Sequence, residues 1–125
     1  MRRVVVTGLG MLTPLGNGVN INWQRLISGQ TGIKKITGFD VSDISCQIAG
    51  QIPLKVDDPE GGLNIDEWIE PREQKRIDRF IAYGIVSAIQ AIEDSGWKPL
   101  SDNDKNRTGV ILGSGIGGLE TIAKT

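Results

Sequence analysis

The sequence predicts an α/β fold with parallel strands. Two short runs, residues 3–7 and 108–112, are rich in valine, isoleucine and leucine with little polar alternation. That is the pattern of strands buried on both faces. Between them lie two stretches with helical spacing, and each apolar run gives way to a glycine-containing loop. The order is strand, helix, irregular insertion, long helix, strand, helix start.

The first strand carries Val4, Val5 and Val6 and is ended by Gly8-Leu9-Gly10. Thr13-Pro14-Leu15-Gly16-Asn17-Gly18 follows as a loop. Trp23, Leu26 and Ile27 then recur at helical spacing, which predicts a short helix over residues 19–28 with Gly29 as its stop. Farther on, Ile33, Ile36 and Phe39 punctuate a polar stretch. Cys46, Ile48 and Gly50 alternate with polar or small residues, which permits a short edge strand. Residues 55–64 contain Pro59, Asp57-Asp58 and Gly61-Gly62 and read as an exposed loop.

The clearest helix covers residues 71–95. Pro71 suits its first turn, and Gly96 suits a left-handed cap after its last. At about 1.5 Å per residue it would be on the order of 37 Å long. Its first half is charged. From Phe80 to Ile92 it is apolar nearly all round, which requires burial on every side. A chain of 125 residues has few elements with which to surround it. The core is therefore expected to be completed by further chain or a partner, with residues 1–125 forming one incomplete domain. Residues 101–107 read as a polar loop, and residues 118–125 begin another helical pattern.

Composition narrows the function. The chain is 38% hydrophobic and 23% charged, which fits a soluble globular fold. A net charge of −1 gives no overall drive toward nucleic acid, so any charge-based partner must be met by a local patch. One cysteine, Cys46, excludes an intrachain disulfide and fits a reducing cytoplasm. With no histidine, the commonest general base and metal ligand are missing, and a Cys/His metal cluster is excluded within this chain. Met1-Arg2-Arg3 before three valines faintly suggests a signal peptide, but Thr7, Gly8 and Gly10 interrupt the apolar run. No stretch approaches the roughly 20 apolar residues of a membrane span.

Two motifs invite a function. Gly113, Gly115 and Gly118 fit G-x-G-x-x-G after an apolar strand, the dinucleotide-binding fingerprint. In that fold the fingerprint follows the first strand of its unit, whereas here it follows the later one. After the first strand, Thr13 stands where the third glycine belongs. The second motif is basic. Arg72, Lys75, Arg76 and Arg79 fall at i, i+3, i+4 and i+7, one face of the long helix, partly offset by Glu73 and Asp78. Such a run is either a solvated helix end or a docking patch for an acidic partner. Cys46 has no base beside it in sequence and reads as a small buried residue. Asp57, Asp58 and Glu60 read as solvated surface, and Trp23, Trp68 and Trp97 as packing.

Taken together, the segments resemble the beta-ketoacyl-acyl-carrier-protein synthases. The resemblance rests on residues 2–10, Thr13-Pro14-Leu15-Gly16-Asn17, Trp23, Gly29, Thr31-Gly32-Ile33 and Phe39-Asp40. It continues through Lys75-Arg76-Ile77-Asp78-Arg79-Phe80-Ile81, Asp94-Ser95-Gly96 and residues 113–119, and is less typical at residues 56–64. It is nearest to the type II elongation synthases of bacterial fatty-acid synthesis. It implies the opening portion of a thiolase-type fold, layered α-β-α-β-α and incomplete in this chain.

The resemblance also implies a decarboxylating condensation of an acyl thioester with malonyl-acyl-carrier protein, using a cysteine and two histidines. This chain has no histidine, and Cys46 lies far from the family's nucleophile motif, which would fall a few dozen residues beyond Thr125. No catalytic residue, cofactor or metal site is therefore expected here, and the chain alone should be inactive. Two features carry over by position. Arg72, Lys75 and Arg76 match the surface that docks acyl carrier protein, and Ile116, between Gly115 and Gly117, matches a residue lining the acyl pocket. The implied whole is a cytoplasmic homodimer that binds neither nucleic acid nor membrane. Three other readings remain: a non-condensing partner subunit of the same fold, a dinucleotide-binding oxidoreductase, and a stand-alone module that binds an acidic protein.

Overall fold

The computed structural model of the chain describes residues 1–124, with Glu120 described by its backbone alone. The chain divides into two compact units. One comprises Met11–Ile65; the other comprises Met1–Gly10 together with the residues from Asp66 onward.

In the first unit, β1 (Leu12–Thr13) and β2 (Gly16–Asn17) form a tight antiparallel hairpin around Pro14 and Leu15. Gly18, at φ 102°, turns the chain into α1 (Val19–Ile27). As the sequence predicts, α1 stops at Gly29, whose φ of 73° lies in the left-handed region, with its N–H on the Leu26 carbonyl at 3.0 Å. β3 (Ile33–Lys35) pairs antiparallel with β4 (Ile48–Gly50), so the edge strand expected around Ile48 is present.

The polar residue Asn22 anchors this unit. It is 3% exposed, and its Nδ2 donates to the carbonyls of Gly16 at 2.8 Å and Gly18 at 2.7 Å. Its Oδ1 accepts from the Thr13 hydroxyl. A buried amide with all these partners ties α1 to the hairpin before it.

Residues 55–57, 59 and 60 are exposed as the sequence suggests, but the loop is closed at its base. Leu54 and Leu63 bridge, and Leu63 is buried. The Lys55 N–H meets the Leu63 carbonyl at 3.0 Å, and the Leu63 N–H meets the Pro53 carbonyl at 2.8 Å. Asp58 is correspondingly not simple solvated surface. Its carboxylate binds the Arg25 guanidinium through both oxygens, one contact measuring 2.9 Å, and Oδ1 accepts from the Gly61 N–H at 3.0 Å. Arg25 also donates to the Leu15 carbonyl at 2.8 Å. The Arg25 hydrogen bond is the main cause holding the Asp58 carboxyl well below the usual carboxylate range. Cys46 is exposed rather than buried. It lies just before β4, whose Ile48 and Gly50 are themselves exposed.

In the second unit the long helix is broken. α2 covers Pro71–Gln74 and α3 covers Arg79–Ser95, with residues 75–78 between them. Pro71 opens α2, and Gly96 caps α3 with φ 63°, both as predicted. The break has a local cause. An unbroken helix would stack four cations along one face, and Asp78 prefers a helix start to a helix interior. Asp78 accordingly takes an extended conformation at the N-cap of α3, and its carbonyl accepts from the Ile81 and Ala82 N–H groups. At 17 residues, α3 is about 25 Å long.

Burial on α3 is one-sided. Ala82 and Val86 are buried, while Phe80, Ile81 and Ile92 remain exposed, so the expectation of burial all round is not met among the described residues. The chain near Gly8 and Gly10 lies against this helix. A Cβ on either glycine would collide with the α3 backbone at Ala91 or Ser87, and the Leu9 N–H donates to Asp94 at 2.8 Å. These two glycines serve close packing on a helix.

Neither predicted strand of this unit is a strand. Residues 3–7 and 108–112 carry no ladder, and exposure runs from 68% at Val5 to 97% at Ile111. Apolar runs of this kind become strands only when paired on both edges and covered on both faces. The sheets among the described residues are the two antiparallel pairs of the other unit. Residues 101–107, read as a loop, contain α4 (Asp102–Asn106), started by a reciprocal capping box between Ser101 and Asp104. α5 (Leu119–Lys124) begins where the helical pattern predicts.

Candidate functional site

The two features expected to act lie in the same unit, around the start of α3. Arg72 is in α2, Lys75 ends it, and Arg76 follows with its N–H on the Glu73 carbonyl at 2.9 Å. All three side chains are exposed. Arg79 is the first residue of α3 and lies beyond the extended Asp78, so the four cations do not form one helical stripe. The group Arg72, Lys75 and Arg76 survives as an exposed basic cluster on a short helix and turn. Exposure suits encounter with an acidic surface, because the cations keep their hydration until a partner arrives.

The glycine loop runs from Gly113 to Gly118, and Ile116 stands in it 75% exposed. Around Gly113 and Gly115 a Cβ would meet open space. Downstream the loop is gripped. Gly117, at φ 87°, lies against the Phe80 ring, where a Cβ would come within 3.2 Å of Cζ. Gly118 lies so close to Asp78 that any side chain would overlap the carboxylate. That carboxylate also accepts from the Thr121 hydroxyl. Sequence reasoning took Asp78 only as a partial offset to the basic run and passed over Thr121; the available signal was an acidic residue directly before an apolar helical run.

This geometry bears on the dinucleotide reading. A fingerprint loop offers its helix start to a pyrophosphate. Here the Asp78 carboxylate lies against that start, and a negative charge there opposes a phosphate. The Cys46 thiol donates to the Ile48 carbonyl at 3.6 Å. Among the described residues, no group of acidic, histidine or cysteine side chains could hold a metal ion. No helix among them is long and apolar enough to cross a membrane.

The family described as beta-ketoacyl synthase, N-terminal domain, matches residues 1–125. A 3-oxoacyl-[acyl-carrier-protein] synthase 2 of Rhizobium meliloti (strain 1021) is 50% identical over 122 residues, covering 98% of this chain and 29% of the relative. A protein of the same name from Vibrio cholerae serotype O1 is 45% identical, over 97% of this chain and 27% of its own length. The chain thus spans less than a third of these curated relatives. Among solved structures, "The ishigamide ketosynthase/chain length factor" matches with a TM-score of 0.64 and 28% identity, over 82% of this chain and 23% of that one. These likenesses assign the thiolase-type α/β fold, of which this chain holds a part. The chain belongs to the beta-ketoacyl synthase family, in its N-terminal domain.

Proposed function

We propose that the complete protein is a 3-oxoacyl-[acyl-carrier-protein] synthase of fatty-acid elongation. It condenses an acyl thioester with malonyl-acyl-carrier protein and releases carbon dioxide. The observation that carries this reading is 50% identity, over 98% of the chain, to a relative bearing that name. Residues 1–125 contain no histidine, so on this reading the condensing residues are not among them. Its contributions are recognition and fit. Arg72, Lys75 and Arg76 meet the acidic carrier protein, and Ile116 lines the acyl pocket. Two glycines beside Ile116 add no bulk, so its branched side chain alone sets the clearance there. The protein works in the cytoplasm as a homodimer.

The test is condensation by the complete protein with acyl- and malonyl-carrier protein, followed by the length of the 3-oxoacyl product. Wild type is expected to release carbon dioxide and form product, and Ile116→Phe to shorten the longest acyl chain accepted. No condensation refutes the enzyme reading, and a product profile identical to wild type refutes the role of Ile116. A second reading, a non-condensing partner subunit of the same fold, is favoured by the neighbour whose title names a chain length factor. In that case the complete protein would condense nothing alone and would be needed by a condensing partner.

A further inference from the structure

One carboxylate joins the start of α3 to the start of α5. Asp78 occupies the N-cap position of α3, where an aspartate ordinarily accepts from the N–H two or three residues on. Its side chain makes no such bond. Oδ1 accepts instead from the Thr121 hydroxyl in α5, 43 residues away in sequence. Gly118 closes against the same carboxylate without room for a Cβ, and Gly117 lies against the Phe80 ring. Residues 78 and 80 thus hold residues 117, 118 and 121. Directly upstream, Gly113 and Gly115 are surrounded by open space, and Ile116 is exposed between the open stretch and the gripped one.

A run with glycine at 113, 115, 117 and 118 has large backbone freedom. A side chain that discriminates acyl length by its bulk must stand in a fixed place, so a loop this free needs an anchor next to the discriminating residue. We propose that Asp78 is the positioning residue for Ile116: its carboxylate, bonded to Thr121 and closed on by Gly118, fixes the downstream end of the glycine loop and so sets acyl-length discrimination. This rests on the reading of Ile116 as a pocket residue.

The experiment uses the complete protein with Asp78→Ala, Asp78→Asn, Thr121→Val, the Asp78→Ala/Thr121→Val double variant and Ile116→Phe. The readouts are the product-length profile with carrier-bound substrates and amide hydrogen exchange over residues 113–118. Asp78→Ala should broaden the range of acyl lengths accepted and speed exchange of the loop amides by about 10-fold. Thr121→Val should do the same, and the double variant should be no worse than either single, because both remove one bond. Asp78→Asn keeps an acceptor oxygen and should restore most of the wild-type profile. A role confined to starting α3 would leave Thr121→Val like wild type in both readouts, and that result overturns the proposal. If Ile116→Phe shifts product length while Asp78→Ala and Thr121→Val do not, the anchor is refuted and the pocket reading stands. If Ile116→Phe also leaves the profile unchanged, the pocket reading fails and the anchor's role in discrimination falls with it. Should Asp78→Ala fail to fold, Thr121→Val decides the same question.

Discussion

The unit Met11–Ile65 and the unit built around α3 both use polar bonds that reach across the sequence, but those of the first are buried or half-buried, whereas the Asp78–Thr121 and Leu9–Asp94 bonds of the second are exposed. The first closes on polar anchors that reach across the sequence. Asn22 joins α1 to the hairpin, and Arg25 joins it to Asp58, 33 residues away. The second packs glycines on α3 and buries Ala82 and Val86, yet leaves Val4 to Val6 and Val110 to Leu112 in the open. Polar anchors can close a short stretch of chain because each hydrogen bond is complete once its two partners meet. Apolar strands cannot, since each must be covered on both faces before its burial stabilises anything.

If that contrast holds, substitutions at the anchors should cost the first unit most. The largest effect is expected at Asn22. Asn22→Ala removes the side-chain donor to the Gly16 and Gly18 carbonyls and the acceptor of the Thr13 hydroxyl, though the Gly18 carbonyl keeps the backbone N–H of residue 22, and it should lower the stability of the complete protein by about 3 kcal/mol, read by denaturant unfolding. Faster hydrogen exchange confined to residues 11–30 would locate the loss. An unchanged midpoint would remove Asn22 as an anchor.

Arg25→Ala should cost about 2 kcal/mol, since the pair is mostly but not wholly buried, at 15% and 18% side-chain exposure. The same pair gives a pH dependence. Asp58 has a folded-state pKa below its unfolded value, with Arg25 the leading cause. Its contribution is then fully present above about pH 4 to 5 and is lost as pH falls toward the folded value. Wild type should lose stability over that acid range more steeply than Asp58→Asn. Parallel acid unfolding curves would contradict the assignment.

The smallest effect is expected at Ser101 in the second unit, whose capping bonds are both local and exposed. Ser101→Ala removes one half of the capping box and should cost about 1 kcal/mol or less. A loss as large as that of Asn22→Ala would erase the distinction between the two units.

Features confined to neighbouring residues were legible in the sequence. Gly29 and Gly96 end their helices, Pro71 begins α2, and the apolar pattern of α3 gives its extent beyond Arg79. The capping box Ser101-x-x-Asp104 was equally local and was passed over beneath the polar character of residues 101–107. The break at residues 75–78 was masked because the basic residues fit a helical period well; only the cap preference of Asp78 argued against it. Asp58 could not be read as a partner of Arg25, since nothing in residues 55–64 indicates which distant cation will face them. The two apolar runs were read correctly for composition but not for state, because a strand is defined by neighbours that these runs do not have among the described residues. Of the candidate site, Arg72, Lys75 and Arg76 were found by their helical spacing and given a carrier-protein role by resemblance, whereas Ile116 came from resemblance alone. The grip of Asp78 on the loop came only from the three-dimensional arrangement.

The proposal that matters most is that this segment recognises an acidic carrier protein on behalf of a condensing enzyme. The most direct measurement is kcat/KM of the complete enzyme carrying Arg72→Glu, Lys75→Glu and Arg76→Glu. It should be made with an acyl group on carrier protein and with the same group on a small thiol. The account predicts a loss on the order of 10-fold or more with the carrier-bound substrate and little change with the small thioester. Equal kinetics of variant and wild type on the carrier-bound substrate would contradict it.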